Sequence, residues 1–134
     1  MIVEKNETMP VRSAEDVVRV RREVRERAVA IGFGLVDQTK IVTAASEIAR
    51  NTLDYGGGGE LRLELLRSGA RRGLRLTFTD RGPGIPDIER AMADGYTTGG
   101  GLGLGLSGAK RLSNEFDVRS AAGEGTVVML ARWK

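Results

Sequence analysis

The sequence of 134 residues contains no cysteine and no histidine. Without cysteine, disulfides and thiolate metal sites are excluded, and the composition suits a reducing compartment. Without histidine, a Ser-His-Asp triad, a His-ligated zinc and autophosphorylation on histidine are impossible within this chain. Aromatic residues make up only 4% of the sequence, which disfavours a platform on which nucleic acid bases stack.

Long apolar runs are also missing. None approaches the roughly 20 residues that cross a bilayer, and residues 1–5 do not begin the apolar core of a secretory signal. We therefore expect a cytoplasmic protein with no membrane partner. The length predicts a single domain over residues 1–134.

The net charge of +3 raises the hypothesis of a basic nucleic-acid-binding domain. Between Arg19 and Arg27, however, the arginines alternate with Glu23 and Glu26, a pattern typical of a solvated helix face. We expect no nucleic acid partner. A nucleic-acid-binding domain is the weakest of the three functions considered for this chain, after the two that are described below.

Hydrophobic periodicity predicts the secondary structure. A helix is expected between Ser13 and Gly32. Further helices are expected at residues 36–55, 87–93 and 106–115, and strands at residues 2–8, 61–65, 74–79, 116–121 and 126–133. This order predicts an α+β fold, a two-layer sandwich with helices on one face of a mixed, mostly antiparallel sheet.

The second predicted helix carries Glu47 and Asn51 one turn apart on one face. We place both opposite the core stripe, which is formed by Ile41, Ala45, Ile48 and Thr52. The oxygen of an asparagine side chain can ligate magnesium, and a glutamate one turn away can orient or deprotonate a hydroxyl. Taken alone, such a pair more often marks a plain solvated helix face.

A turn of sequence Asp80-Arg81-Gly82-Pro83-Gly84 follows the strand at 74–79. Strand alternation points Asp80 to the buried face, where a carboxylate needs a hydrogen-bond donor. The exocyclic amine of adenine is one such donor, and Gly82 and Gly84 would let the backbone approach a flat ring. The alternative is an ordinary Asp-Gly turn.

Glycines alternate with leucines over residues 99–106, directly before a predicted helix. The exposed backbone N–H groups of such a segment suit phosphates, although a flexible linker is the alternative. Residues 103–108 match G-x-G-x-x-G, but no strand precedes them and Val128 stands where an acid is expected. A P-loop is excluded because Arg111 occupies its Ser/Thr position.

The order of these motifs is more specific than any of them alone. An asparagine on a helix, a strand ending in Asp-x-Gly-x-Gly, a glycine lid that opens a helix and then Gly125-Thr126 resemble the motif set of the GHKL ATP-binding family, over about residues 2–133. The resemblance implies the Bergerat fold, with ATP and Mg²⁺ as cofactors.

Within that family the chain looks similar to the serine/threonine switch kinases of bacterial stressosomes. The similarity rests on residues 32–34, 36–38, 46–51, 80–88 and 123–126. It implies a protein kinase of the anti-sigma-regulator type that phosphorylates STAS-domain scaffold and antagonist proteins. Once released, such a kinase activates a PP2C-type phosphatase.

The resemblance also implies roles for individual residues. Glu47 would act as the base or orienter of the substrate hydroxyl, and Asn51 would hold Mg²⁺ across the phosphates. Asp80 would bind the adenine amine, with Gly82, Gly84 and Thr126 beside the purine. The lid would close over the phosphates through Gly101, Gly103, Leu104 and Gly105.

Two questions stay open at this point. The chain has no clear arginine finger, although Arg50, Lys110 and Arg111 are candidates. The competing hypothesis is a nucleotide-loaded anti-sigma factor that sequesters a partner without phosphotransfer. Because the lid is short, we expect modest ATP affinity unless a partner covers the site.

Overall fold

The computed structural model describes residues 1–85, 88, 92 and 106–134. Within this part of the chain lie five strands and three helices. In chain order they are β1 (Ile2–Val11), α1 (Ala14–Ala30), α2 (Leu35–Asp54), β2 (Gly59–Ser68), β3 (Arg71–Asp80), α3 (Leu106–Arg111), β4 (Glu115–Ser120) and β5 (Thr126–Trp133). The helix predicted at 87–93 falls largely outside the described residues. The glycine lid falls outside them over residues 99–105.

The strands form one sheet in the order β1-β2-β3-β5-β4. All four pairings in this sheet are antiparallel. The prediction of a mostly antiparallel sheet is therefore confirmed. No parallel pair occurs between the described strands, so the mixed character that we expected is not seen there.

Strand β1 is longer than predicted, since it continues from residue 8 to Val11 and includes Pro10. Proline has no N–H to donate, so sequence alone argues against a strand at this position. In the sheet β1 is an edge strand, bonded only to β2. An edge strand tolerates a proline because one side of its backbone needs no ladder partner.

Helix α1 begins as the sequence predicts. The Ser13 hydroxyl accepts a hydrogen bond from the Asp16 backbone N–H at 3.1 Å, which is an N-cap. The apolar stripe of α1 is buried and consists of Val17, Val20, Val24 and Ala28. Arg27, near the end of this helix, pairs with Glu7 and so joins α1 to β1.

Helix α3 ends at Arg111, four residues earlier than predicted. The Asn114 backbone N–H already donates to the Ala131 carbonyl at 2.8 Å, and Glu115 pairs with Ala131 in the sheet. Pairing with β5 therefore ends the helix, and this long-range contact is not visible in the local sequence.

The helical layer covers one face of the sheet. The core lies between the helices and the sheet. Both contribute fully buried side chains, among them Val20, Ile41, Ile48, Leu61, Leu63, Leu76, Phe78 and Leu130. Among the described residues, no helix combines the length and the apolar character needed to cross a membrane.

The other face of the sheet contains a buried ion pair. The Arg75 guanidinium donates to both carboxylate oxygens of Glu64, at 2.8 and 3.0 Å. This hydrogen bonding lowers the pKa of Glu64. Glu64 is nevertheless buried, and the pairing with Arg75 explains how this carboxylate is accommodated there.

Candidate functional site

Three of the predicted site residues meet in one cavity at the end of the sheet. Asn51 comes from α2, Asp80 from the end of β3 and Thr126 from the start of β5. The complete lining is Ile48, Asn51, Thr52, Tyr55, Phe78, Asp80, Ile85, Leu106, Thr126 and Val128. The floor is thus apolar, and a few polar groups from separate elements converge on it, as in a typical ligand site.

Asn51 does not lie opposite the core stripe, and this part of the sequence interpretation is wrong. Its side chain is half-buried and lines the cavity together with Ile48 and Thr52. At about 100° per residue, Asn51 lies only about 60° round the helix from Ile48. It therefore occupies the border of the buried stripe, where it reaches the cavity.

Asp80 points to the inner face of the sheet, as strand alternation predicts. One carboxylate oxygen accepts a hydrogen bond from the Gly82 N–H at 2.9 Å. Burial raises the pKa of Asp80, and the N–H groups of Gly82 and Thr126 oppose this rise. A further donor from a ligand would favour the charged form of this carboxylate.

Gly56 packs directly against the carboxyl group of Asp80. A Cβ atom at position 56 would lie 2.3 Å from the Asp80 Cγ, which is too close for any real contact. A Cβ at Gly82 would lie 2.7 Å from the Gly56 Cα. Gly56 therefore has a steric role at the site, which the sequence analysis did not identify because the contact joins the end of α2 to the end of β3.

Position 84 requires glycine because of both its backbone conformation and its close contact with Ala121. Its φ is +77°, in the left-handed region, and a Cβ there would lie 2.0 Å from the Ala121 carbonyl oxygen. Gly82 and Gly84 thus let the turn after β3 pack closely against other protein backbone. Their predicted approach to a flat ring stays a prediction.

Asp80, Thr126 and Ser120 form a row across the end of the sheet. Asp80 pairs with Thr126 between β3 and β5, and Thr126 pairs with Ser120 between β5 and β4. Side chains that are directly opposite in such pairs lie about 4.5–5.5 Å apart at Cβ. Thr126 is therefore held between the carboxylate and the serine.

Ser120 is a polar site residue that the sequence interpretation missed. Its hydroxyl accepts a hydrogen bond from the Ile85 N–H at 2.7 Å and donates to the Gly125 carbonyl at 2.8 Å. The Thr126 hydroxyl lies 2.8 Å away. Ser120 thus joins the turn after β3 to the start of β5, but a lone serine near the end of a predicted strand carries no local signal of that role.

Glu47 lies one turn before Asn51 on α2 and is half-buried. It does not line the cavity, and its side chain makes no ion pair or hydrogen bond with residues 1–85 or 106–134. Its carboxylate is near the cavity along the helix but has no structural partner in the described part of the chain.

The remaining predicted site residues are placed only in part. Gly101, Gly103, Leu104 and Gly105 lie outside the described residues. Arg50, Lys110 and Arg111 are exposed, so none of these three basic side chains is buried at the cavity.

Comparison with known proteins gives the family. The model of the histidine kinase-, DNA gyrase B- and HSP90-like ATPases matches residues 36–134. The serine/threonine-protein kinase RsbT of Bacillus subtilis is 48% identical over 118 residues, which are 88% of this chain and 89% of that protein. The anti-sigma F factor of Pasteuria penetrans is 31% identical over 104 residues, 73% of this chain and 69% of that protein.

Among solved structures, the RsbU and RsbW domains of a Mycobacterium tuberculosis protein superpose with a TM-score of 0.64 at 21% identity. The match covers 96% of this chain and 32% of that one, and it supports the predicted fold. The α+β ATP-binding fold is thus confirmed. The chain belongs to the histidine kinase-, DNA gyrase B- and HSP90-like ATPases and, within them, to the serine/threonine protein kinases related to RsbT.

Proposed function

We propose that this chain transfers the γ-phosphoryl group of ATP to a serine or threonine of a STAS-domain scaffold or antagonist protein. Once released from that protein, it activates a PP2C-type phosphatase. The observation that carries the proposal is the meeting of Asn51, Asp80 and Thr126 in one cavity with an apolar floor.

The cavity suits an adenine base. The faces of the flat ring would contact the apolar side chains of Ile48, Phe78 and Val128. The buried carboxylate of Asp80 accepts a hydrogen bond from the 6-amino group. Thr126 lies beside Asp80 and contacts the same edge of the ring. Asn51, on the helical side of the cavity, is then directed to the phosphates.

Magnesium fits this arrangement through Asn51. No cluster of three or more Asp, Glu, His or Cys that could hold a metal alone occurs in the described residues. Mg²⁺ at a nucleotide site is usually bound by one or two protein oxygens, substrate phosphates and water, and the Asn51 side chain supplies one such oxygen. When bound, the ion neutralises phosphate charge.

Glu47 is the proposed base for the acceptor hydroxyl. The hydroxyl oxygen forms a bond to the γ-phosphorus as the bond from that phosphorus to the bridging oxygen of ADP breaks, and the proton of the hydroxyl passes to Glu47. The protein contributes mainly through positioning and electrostatic stabilisation, as in other phosphoryl transfers. The half-buried Glu47 has no described ion-pair partner that would compete for its carboxylate.

The second candidate function is partner sequestration without phosphotransfer. It is favoured by the similarity to anti-sigma F factors, which reaches 31% identity. The similarity to RsbT is higher, at 48%, and it makes the kinase the preferred proposal. The cytoplasmic location and the single-domain organisation expected from the sequence stay predictions.

The direct test is incubation of the purified chain with γ-labelled ATP, magnesium and STAS-domain proteins from the same genome. We expect label on a serine or threonine of the STAS protein, and no label when that residue is replaced with alanine or when EDTA removes the magnesium. Firm ATP and partner binding with no transfer would instead support sequestration.

A second test concerns Gly56. We expect Gly56→Ala to weaken ATP binding about tenfold, because overpacking beside Asp80 typically costs about 1–3 kcal/mol and displaces the carboxylate. Isothermal titration calorimetry with ATP and magnesium measures the change. Gly34→Ala is the matched control, since a Cβ there meets nothing within 4 Å. Equal ATP affinity in both variants would refute the steric role of Gly56.

A further inference from the structure

The hydrogen bonds around Ser120 constrain the Thr126 hydroxyl, which lines the proposed nucleotide cavity. A serine hydroxyl has one hydrogen to donate. Ser120 donates it to the Gly125 carbonyl at 2.8 Å, because a carbonyl oxygen can only accept. Its lone pairs then receive the Ile85 N–H at 2.7 Å and one further donor.

That further donor is Thr126. The two hydroxyl oxygens lie 2.8 Å apart, and the hydrogen of Ser120 is already committed to Gly125. Either hydroxyl of this pair could be the donor on distance alone, and the arrangement that also satisfies the Gly125 carbonyl is the one in which the hydroxyl hydrogen of Thr126 points at Ser120. As a result, Thr126 has only lone pairs left for the cavity that it lines.

We propose that Ser120 is a positioning residue that holds the Thr126 hydroxyl as a hydrogen-bond acceptor and thereby selects 6-amino over 6-oxo purine nucleotides. The inference rests on the proposed placement of the purine beside Asp80 and Thr126. Ser120 itself does not line this cavity, so it acts through its neighbour.

The selection follows from counting donors. An ionised Asp80 can only accept, and Thr126 is confined to accepting by Ser120. A 6-amino purine presents donors to this pair. A 6-oxo purine keeps a donor only at N1. At position 6 it presents a carbonyl oxygen, which leaves acceptors facing each other there without a hydrogen between them, the costly outcome for a desolvated polar group.

The test compares ATP with inosine triphosphate, which carries an oxo group at position 6. We expect the wild-type chain to prefer ATP, and Ser120→Ala to lower the ATP-to-ITP affinity ratio by roughly two- to tenfold, since a typical hydrogen bond contributes an amount of this order. Without Ser120 the Thr126 hydroxyl can turn and donate to the 6-oxo group. Calorimetry with magnesium measures both affinities and requires no phosphotransfer.

The controls separate selection from simple loosening of the turn. A purely structural role predicts that Ser120→Ala weakens ATP and ITP equally, so an unchanged ratio would overturn the inference. Ser120→Thr keeps the hydroxyl and is expected to restore the ratio. In a Thr126→Val background, Ser120→Ala is expected to change the ratio no further.

Two other outcomes are informative. If Ser120→Ala does not fold, Ser120→Cys replaces it, and we expect an intermediate ratio because a thiol is a weaker donor and acceptor; a wild-type ratio in that variant contradicts the inference. If the wild-type chain binds ATP and ITP equally, the inference fails together with the proposed hydrogen bond from the 6-amino group to Asp80, whereas an unchanged ratio in Ser120→Ala, with ATP still preferred, overturns the inference alone. If the wild-type chain binds neither, the proposed nucleotide site fails as well.

Discussion

Replacement of Glu47 with alanine is expected to lower the rate of phosphotransfer to a STAS-domain protein by about 10²–10⁴-fold, the usual contribution of a positioned acid or base. ATP binding is expected to stay within about twofold of wild type, since Glu47 does not line the cavity. Stability should also change little, because the carboxylate has no described partner to lose. Transfer of label and calorimetry on the same preparation measure the two effects.

Two further variants sharpen this result. Glu47→Gln keeps the shape and hydrogen-bonding ability of the side chain but cannot take a proton, so it separates a base from an orienting group. Asp54→Ala removes an exposed carboxylate from the same helix and is the matched control, expected to retain transfer. Full activity in Glu47→Ala would exclude this glutamate as the base.

Replacement of Asp80 with asparagine is expected to weaken ATP binding by about 10- to 100-fold, because a hydrogen bond to a charged acceptor contributes about 1.5–3 kcal/mol. The thermal stability of the free protein should not fall. Burial raises the pKa of Asp80, so the folded chain disfavours the charge, and a neutral side chain of the same shape removes that penalty. Calorimetry and thermal unfolding without nucleotide provide the two measurements.

The same pKa shift gives a pH dependence. The raised pKa means that the stability contributed by Asp80 is greatest below its ordinary value of 3.8 and is lost as pH rises through the raised value. ATP binding has the opposite dependence, because only the ionised carboxylate accepts without donating. We therefore expect ATP affinity to fall on acidification at a higher pH than for an ordinary aspartate, and this fall should be absent in Asp80→Asn.

The binding and unfolding measurements on Asp80→Asn distinguish two ways in which the proposed role of Asp80 could be wrong. If Asp80→Asn binds ATP as wild type does and unfolds at the same temperature, the cavity is not the purine site. If its unfolding temperature falls clearly, the carboxylate is a structural acceptor for Gly82 and Thr126, and the loss of binding would have to be attributed to the fold.

Much of the fold could be predicted from local patterns. The stripe of α1, the Ser13 cap and the inward direction of Asp80 depend on residues near in sequence, and helical and strand periodicity describe them well. The same reasoning failed for α3, because pairing of Glu115 with Ala131 ends the helix. It also failed for Pro10, whose tolerance depends on the edge position of β1.

The candidate site also has features that local sequence patterns predict and features that depend on contacts between distant residues. The sequence by itself determined which side chains are candidates for the chemistry, since the order of Asn51, Asp80 and Thr126 among helix, strand and turn signals is a one-dimensional pattern. Only the tertiary structure decided that Asn51 borders the core, that Gly56 touches Asp80 and that the Ser120 and Thr126 hydroxyls are in contact. The reason is that these contacts join separate elements, and their geometry depends on sheet register and close packing, which local periodicity does not contain.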